Sequence, residues 1–365
     1  MEEQIVDQGK LGSALWSLDE QGILTVGSGQ LEIDRPPYSW PWKKHAKHIR
    51  QIQGQAPFVA KGVFNSAFAG LPQLEKVDLS GWNTKFMTKA ECMFMDCPQL
   101  TDVDLSMWDM GKVESVCCMF KRCINLRQVS LSNWNTHSFQ VISGLFEGCE
   151  KLENLDLSKW DTSQVLSMAS VFEGCTSLKV LDLSNWNISQ VDWMRQMFKD
   201  CVNIKKIQVE TWDTQNITDL SGLFENCSKL NSLDVSKWNT AQVENMNRLF
   251  LNCRRLTSLD LANWTFEKVE ETERILSGCD ELEEIYYAQG EKNLETIFSL
   301  LEHSYPILFR FQNSPIEYFP FDFPKPTEVI LISGADLTLH QVFLIPTQSR
   351  TKEGQWIDVS IPFEA

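Results

Sequence analysis

Cysteine and aspartate are the residues of this 365-residue chain whose types and spacing could do chemistry. In the stretch LDLSKWDTSQVLSMASVFEGC, Leu155 to Cys175, the cysteine offers a nucleophile or a metal thiolate, and the aspartates offer its partner. The surrounding sequence argues against that chemistry. Cys97, Cys123, Cys149, Cys175, Cys201, Cys227, Cys253 and Cys279 recur at a constant interval of 26 residues, in step with apolar neighbours. Equivalent inward positions do not face one another as a disulfide requires, although successive turns would lie within its ~5 Å range. Zinc sites draw on local CxxC-type pairs, which these are not. Buried small hydrophobes are the expected role of all eight.

Cys92 and Cys118 differ. They share a column occupied elsewhere by Gly144, Ser170, Gln196, Gly222, Arg248 and Arg274, which is solvent-facing by composition. Two free thiols are expected there, with a disulfide or a redox-sensitive pair as the alternative. Neither they nor Cys117 supply zinc geometry. The aspartate of LDLS recurs at Asp78, Asp104, Asp156, Asp182, Asp234 and Asp260, interrupted by Ser130 and Gln208. Carboxylates stacked ~4.8 Å apart repel by about 1 kcal/mol in water and about 3–4 kcal/mol at an effective dielectric near 20. Hydrogen bonds from serine or turn amides are the expected compensation; a basic partner or a cation is the alternative. General acid–base catalysis needs two carboxylates in unlike environments, and repetition makes these alike. The five histidines, His45, His48, His137, His303 and His340, form no metal motif. His45 and His48, in KKHAKHIR, are expected on the solvated face of a basic helix. No cofactor is expected.

What positions these residues is a repeat. Trp82, Trp108, Trp134, Trp160, Trp186, Trp212, Trp238 and Trp264 keep the 26-residue interval, as do the phenylalanines from Phe68 to Phe250, a series that Leu276 continues. Three series with one period specify a solenoid. In KVLDLSNW, residues 179–186, Leu181 and Leu183 alternate with polar neighbours, predicting a short strand. Val165, Met168, Val171, Phe172, Cys175 and Leu178 are spaced 3, 3, 1, 3 and 3, predicting a helical or 3₁₀ segment. The expected fold is an α/β solenoid like a leucine-rich repeat: a right-handed array with a parallel concave sheet, helical or 3₁₀ convex segments and β-rich caps at both ends. Three regions are expected: an N-terminal β-hairpin cap over 1–47, about nine turns over 48–286, and a C-terminal β-rich cap or small appended domain over 287–365.

The repeat LxxLDLSxWDTxxVxxMxxxFxxCxxL resembles the BspA-like leucine-rich repeats, specifically the mycoplasma-lipoprotein type of bacterial surface proteins. The likeness covers roughly residues 48–286, and WSLDEQGILTVGSGQLEI resembles the hairpin that precedes such arrays. The resemblance implies adhesion or partner binding, usually outside the cell.

A formal net charge of −16 argues against nucleic acid or an anionic membrane as the main partner. No apolar run approaches the ~20 residues of a membrane span. The acidic N-terminus lacks the plan of a signal peptide, so the expected location is the cytoplasm, or the cell surface or exterior if an export signal has been removed. The first functional reading is a non-enzymatic module that binds a protein or matrix partner through the concave face and loops. The alternative is a cytoplasmic acidic inhibitor or immunity protein that captures a basic enzyme. Positions that vary between repeats are free to recognise a partner. The candidate surface therefore comprises Asp102, Asp104, Asp156, Asp182, Trp193, Lys206, Gln208, Glu210, Asp234 and Asp260.

Overall fold

The chain enters as an antiparallel meander because its first apolar runs alternate on either side of a tight turn. Strands β1 (Ile5–Leu11), β2 (Ala14–Asp19) and β3 (Ile23–Val26) pair in order, with Trp16 opposite Val26 and Leu18 opposite Leu24. The Asp19 carboxylate shapes the β2–β3 turn by accepting the amides of Gln21 and Ile23 at 2.9 and 2.8 Å. The computed structural model describes residues 4–34, 40–131 and 133–287, together with the strand segments 307–311, 329–333, 343–344 and 359–360. His303, His340 and most of the aromatic, proline-rich stretch after 311 lie outside the described residues.

From β3 as far as Val329–Ser333 the pairing is parallel. β3 lies on β5 (Gln51–Gly54) and β5 on β7 (Lys76–Asp78), while β4 (Gly29–Ile33), β6 (Phe58–Val63) and β8 (Trp82–Lys89) form a second sheet. Three-residue strands then recur once per turn, with Gln128 beside Asp102, Lys206 beside Val180 and Glu284 beside Ser258. Regular pairing lapses at 154–156. A second parallel ladder links Lys89, Ser115, Val141, Ser167, Trp193, Asp219, Asn245 and Glu271. Between the first and last ladder cysteines, Cys97 and Cys279, the coil makes about seven turns. The expected nine include passes at both ends whose spacing departs from 26; Gln51, for example, pairs with Lys76, 25 residues on. Beyond the last regular turn, Ile307–Phe311 and Val329–Ser333 extend the parallel sheet with shorter steps, Ile285 lying beside Phe309 and Phe309 beside Leu331.

The expected helical or 3₁₀ convex segments are not formed, and the fold is a β-solenoid rather than an α/β array. The residues between the second ladder and the cysteine make successive β-turns. Met119, Lys121 and Cys123 donate their amides to Val116, Cys118 and Phe120, three residues back, at 3.0–3.1 Å. The intervening amides of Cys118 and Phe120 point along the solenoid axis to Ser143 and Leu145 of the next turn, both at 2.9 Å. A helix would keep those amides within its own turn. Cys118 and Arg122 have φ of +56° and +59°, the left-handed backbone required at the third residue of a type II turn. The same two positions are left-handed in Gly144 and Gly148, Gln196 and Asp200, and Arg248 and Asn252. Apolar residues three apart thus mark chained turns here, not a helix face. Among the described residues the one helix is a 3₁₀ segment, Pro41–His45. His45 is not on a solvated face: its Nε2 lies 2.7 Å from the Asp7 carboxylate, which also pairs with Lys44 at 2.7 Å. These two partners lower the Asp7 pKa to about 2, Lys44 contributing most.

The core is a set of axial columns. Ring centroids are 6.0 Å apart between Trp134 and Trp160, 6.1 Å between Trp160 and Trp186, and 5.5 Å between Phe198 and Phe224. Each ladder cysteine is buried and donates its thiol to the carbonyl of a phenylalanine 29 residues earlier, as Cys175 does to Phe146 at 3.2 Å. Buried Thr136, Thr162, Thr214 and Thr240 bridge the turns with Oγ1–H bonds to the next turn's backbone, 2.7–3.0 Å long. Burying one large apolar side chain contributes about 1.5–3 kcal/mol, so most of each turn's stability comes from its neighbours.

Candidate functional site

The candidate surface begins with the turn that follows each short strand. Leu181 and Leu183 point inward and Asp182 outward. Asp182 Oδ1 then accepts both the amide and the hydroxyl of Ser184, at 3.0 and 2.7 Å, while the Trp186 amide closes the turn on Leu183 at 3.0 Å. Asp78, Asp156 and Asp234 repeat the double bond with Ser80, Ser158 and Ser236. Asp104 accepts the Ser106 amide and Asp260 the Ala262 amide, each at 2.9 Å. Aspartate is used because its short carboxylate reaches the amide two residues on. The serine hydroxyl holds Asp104, Asp156 and Asp182 below the usual carboxylate range. Each aspartate is therefore occupied by its own turn.

Eight of the ten candidate residues lie in or between the strand positions of one ladder. Asp102 and Asp104 face Gln128 and Ser130, so no carboxylate opposes Asp104 on that side. Lys206 and Gln208 are in register with Val180 and Asp182, and the Lys206 ammonium further lowers the Asp182 pKa. Glu210 follows in the adjoining turn, half-buried, where Gln208 and Glu210 together replace the Asp–Ser pair. Asp156, Asp234 and Asp260 continue the column at other heights.

Trp193 lies apart from these, on the second ladder between Ser167 and Asp219, and is 58% exposed. The sequence reading passed over its neighbour Leu166, which is 47% exposed and accepts the Asp192 amide at 3.3 Å. The signal was present: its column otherwise holds Glu114, Gln140, Asp192, Thr218, Glu244 and Glu270. Val180 is likewise exposed on the strand face. Among the described residues, no three histidine, cysteine or acidic side chains are arranged to hold a metal ion. No described helix is long and apolar enough to cross a membrane.

The repeat and its turn chemistry correspond to a family described as Mycoplasma protein of unknown function, DUF285, which matches residues 62–181, 119–208 and 200–303. The chain belongs to this family. The match agrees with the mycoplasma-type repeat that the sequence resembles. No curated protein matches the chain. It is similar to a solved leucine-rich cell surface protein from Faecalibacterium prausnitzii, at 15% identity and a TM-score of 0.33 over 81% of this chain and 98% of that one. A leucine-rich-repeat protein from Eubacterium ventriosum is 16% identical with a TM-score of 0.32, over 74% of this chain and 82% of that one.

Proposed function

We propose that this DUF285 chain is a non-enzymatic binding module at the cell surface, recognising a protein or extracellular-matrix partner. The observation that carries the reading is the pair Trp193 and Leu166, large apolar side chains exposed on successive turns, Trp193 in the second ladder and Leu166 in the otherwise polar column beside it. Interface hot spots are enriched in tryptophan held on a rigid support, and the hydrogen-bonded turns on either side supply one. The strand face, with Asp102, Asp104, Asp156, Asp182, Lys206, Gln208, Glu210, Asp234 and Asp260, forms the charged part of the same module and steers the partner's approach.

The test is binding of the purified protein to immobilised matrix proteins, measured for wild type and Trp193→Ala. The substitution is expected to weaken capture about tenfold or more, leaving thermal stability unchanged because the side chain is exposed. Equal capture by both forms, or no saturable binding to any matrix protein, would sink the proposal. The net charge of −16 favours a second reading, a capture protein for a basic partner. In that case binding falls steeply as salt rises from about 0.05 to 0.5 M, and Asp156→Asn with Asp182→Asn costs more affinity than Trp193→Ala.

A further inference from the structure

Three of the eleven cysteines stand outside the buried ladder, and the fold gathers all three. Cys117 Sγ lies 3.5 Å from Cys118 Sγ, and the Cys92 amide donates to the Cys117 carbonyl at 2.8 Å. Cys92 and Cys118 are equivalent positions on adjacent turns, with φ of +55° and +56°, so their side chains leave the backbone in the same direction, one above the other. The Cys117 thiol is thus within hydrogen-bond reach of Cys118, and Cys92 lies beside that pair on the preceding turn. All three are half-buried, whereas every ladder cysteine is buried. On the far side of Cys118 the next position in the column is Gly144, where a Cβ would come within 2.9 Å of the Cys118 sulfur. With glycine there, no side chain crowds that sulfur.

The two possible pairings differ in geometry. Consecutive Cα atoms across a trans peptide are about 3.8 Å apart, below the ~4.4–6.8 Å that disulfides span. A Cys117–Cys118 bridge is thus disfavoured. Equivalent positions on hydrogen-bonded parallel turns lie about 4.8 Å apart, inside the range, and the half-buried thiols of Cys92 and Cys118, unlike the packed inward thiols of the ladder, have room to rotate towards each other. We propose that Cys92 and Cys118 are a dithiol modification site that small-molecule disulfides of the glutathione class convert reversibly into an inter-turn disulfide. The Cys118 thiolate attacks one sulfur of the small disulfide, whose S–S bond breaks to release one thiolate and leave a mixed disulfide on Cys118. Cys92 gives its proton to solvent and attacks the Cys118 sulfur, expelling the second small thiolate. Two protein thiols are oxidised to one disulfide, one small disulfide is reduced to two thiols, and the two protons lost by the protein end on those thiols.

The surroundings favour Cys118 as the attacking group. Hydrogen bonds from Cys117 and Cys92, followed by the charges of Lys121 and Arg122, push its thiol well below the usual range, while Cys92 and Cys117 are pushed up, chiefly by the interaction with Cys118, which for Cys92 ends once Cys118 is capped. Burial instead drives the ladder thiols upward, Cys97 to about 12, and keeps them from competing. Cys117 is a positioning residue: its thiol supports the Cys118 thiolate without joining the bridge.

Incubation of the reduced full-length protein with oxidised glutathione, followed by thiol titration and peptide mapping, tests the site. The expected result is loss of two thiols, one linked peptide pair joining Cys92 to Cys118, and full recovery with dithiothreitol. Cys92→Ser should stop the reaction at a single glutathione adduct on Cys118. Cys118→Ser should slow the first adduct at least tenfold, and Cys117→Ser should raise the pH at which Cys118 reacts. Retention of all eleven thiols in the wild type, a Cys117–Cys118 link, or modification spread over the ladder would each overturn the assignment.

Discussion

Two neighbouring tryptophans of one column differ by a single bond. Trp134 Nε1–H donates to the Leu105 carbonyl at 3.0 Å, whereas the buried Trp160 Nε1–H has no acceptor. Their rings are equally buried and stack on each other at 6.0 Å. Phenylalanine at either position keeps most of the ring contact and deletes the N–H. At 134 this removes a hydrogen bond with a net worth of about 1 kcal/mol, and the Leu105 carbonyl retains the Trp108 amide at 3.0 Å. At 160 it removes a donor that was stranded on folding, a relief worth about 1–3 kcal/mol that offsets the lost ring area. Trp134→Phe should therefore lower stability by about 2–4 kcal/mol more than Trp160→Phe. Denaturant midpoints of the two variants measure the difference, and equal midpoints would show that the indole bond contributes nothing.

At the scale of the element, the convex turns allow a test in which two backbone descriptions give opposite signs. Gly174 has φ of +73°, and a Cβ there would meet nothing closer than 3.4 Å. In a helix, Gly174→Ala would stabilise by about 1 kcal/mol. In the left-handed position of a turn, the same change costs about 1–2 kcal/mol through contact of Cβ with its own carbonyl. Destabilisation is expected, read as a lower unfolding midpoint; a rise would restore the helical description. The sequence contained this information in a column that the helical reading did not use. Asp96, Gly148, Gly174, Asp200, Asn226, Asn252 and Gly278 precede seven of the eight ladder cysteines, with Arg122 before the other, and these seven are the residue types that tolerate positive φ. Periodicity alone could not choose, because a β-turn and a helix both bring residues three apart together. The inward columns were legible because burial repeats with the period. The Asp–Ser turn was legible too, since one bond geometry recurs wherever both residues do. Trp193 and Leu166 were harder: a break in a column shows that a side chain is not needed by the repeat, but not whether it folds back onto its neighbours. The convergence of Cys117 on Cys118 depends on side-chain direction at a left-handed residue, which spacing does not encode.

For the whole molecule, nearest-neighbour packing means that damage should stay local. Trp42 sits where the N-terminal strands meet the first phenylalanine of the column: it is buried, stacks on Phe68 at 5.7 Å and on Trp40 at 5.2 Å, and meets Trp16 edge-on at 6.1 Å. Its Nε1–H donates to the Ala67 carbonyl at 2.7 Å. Truncating such a side chain costs about 3–5 kcal/mol. In a globular domain with one cooperative core that loss is felt by every residue. In a solenoid each turn contacts only the turns on either side, so stability is a sum of turn and interface terms. Turns far from the lesion keep nearly all of theirs. Trp42→Ala should therefore accelerate amide exchange across β5, β6 and the turns carrying Phe64, Phe68 and Phe94, with the effect fading towards Cys201 and absent by Cys253. The amides that donate axially, such as Phe94 to Met119 and Phe224 to Leu249, both at 2.9 Å, are equivalent reporters at the two ends of that gradient. A uniform loss of protection at both would mean that the columns of tryptophan and phenylalanine couple the turns into one cooperative unit. Trp193 and the Cys92–Cys118 pair, on turns at different distances from the N-terminal strands, would then lose their supports together, whereas a local response leaves the Trp193 surface intact while the thiol cluster loosens.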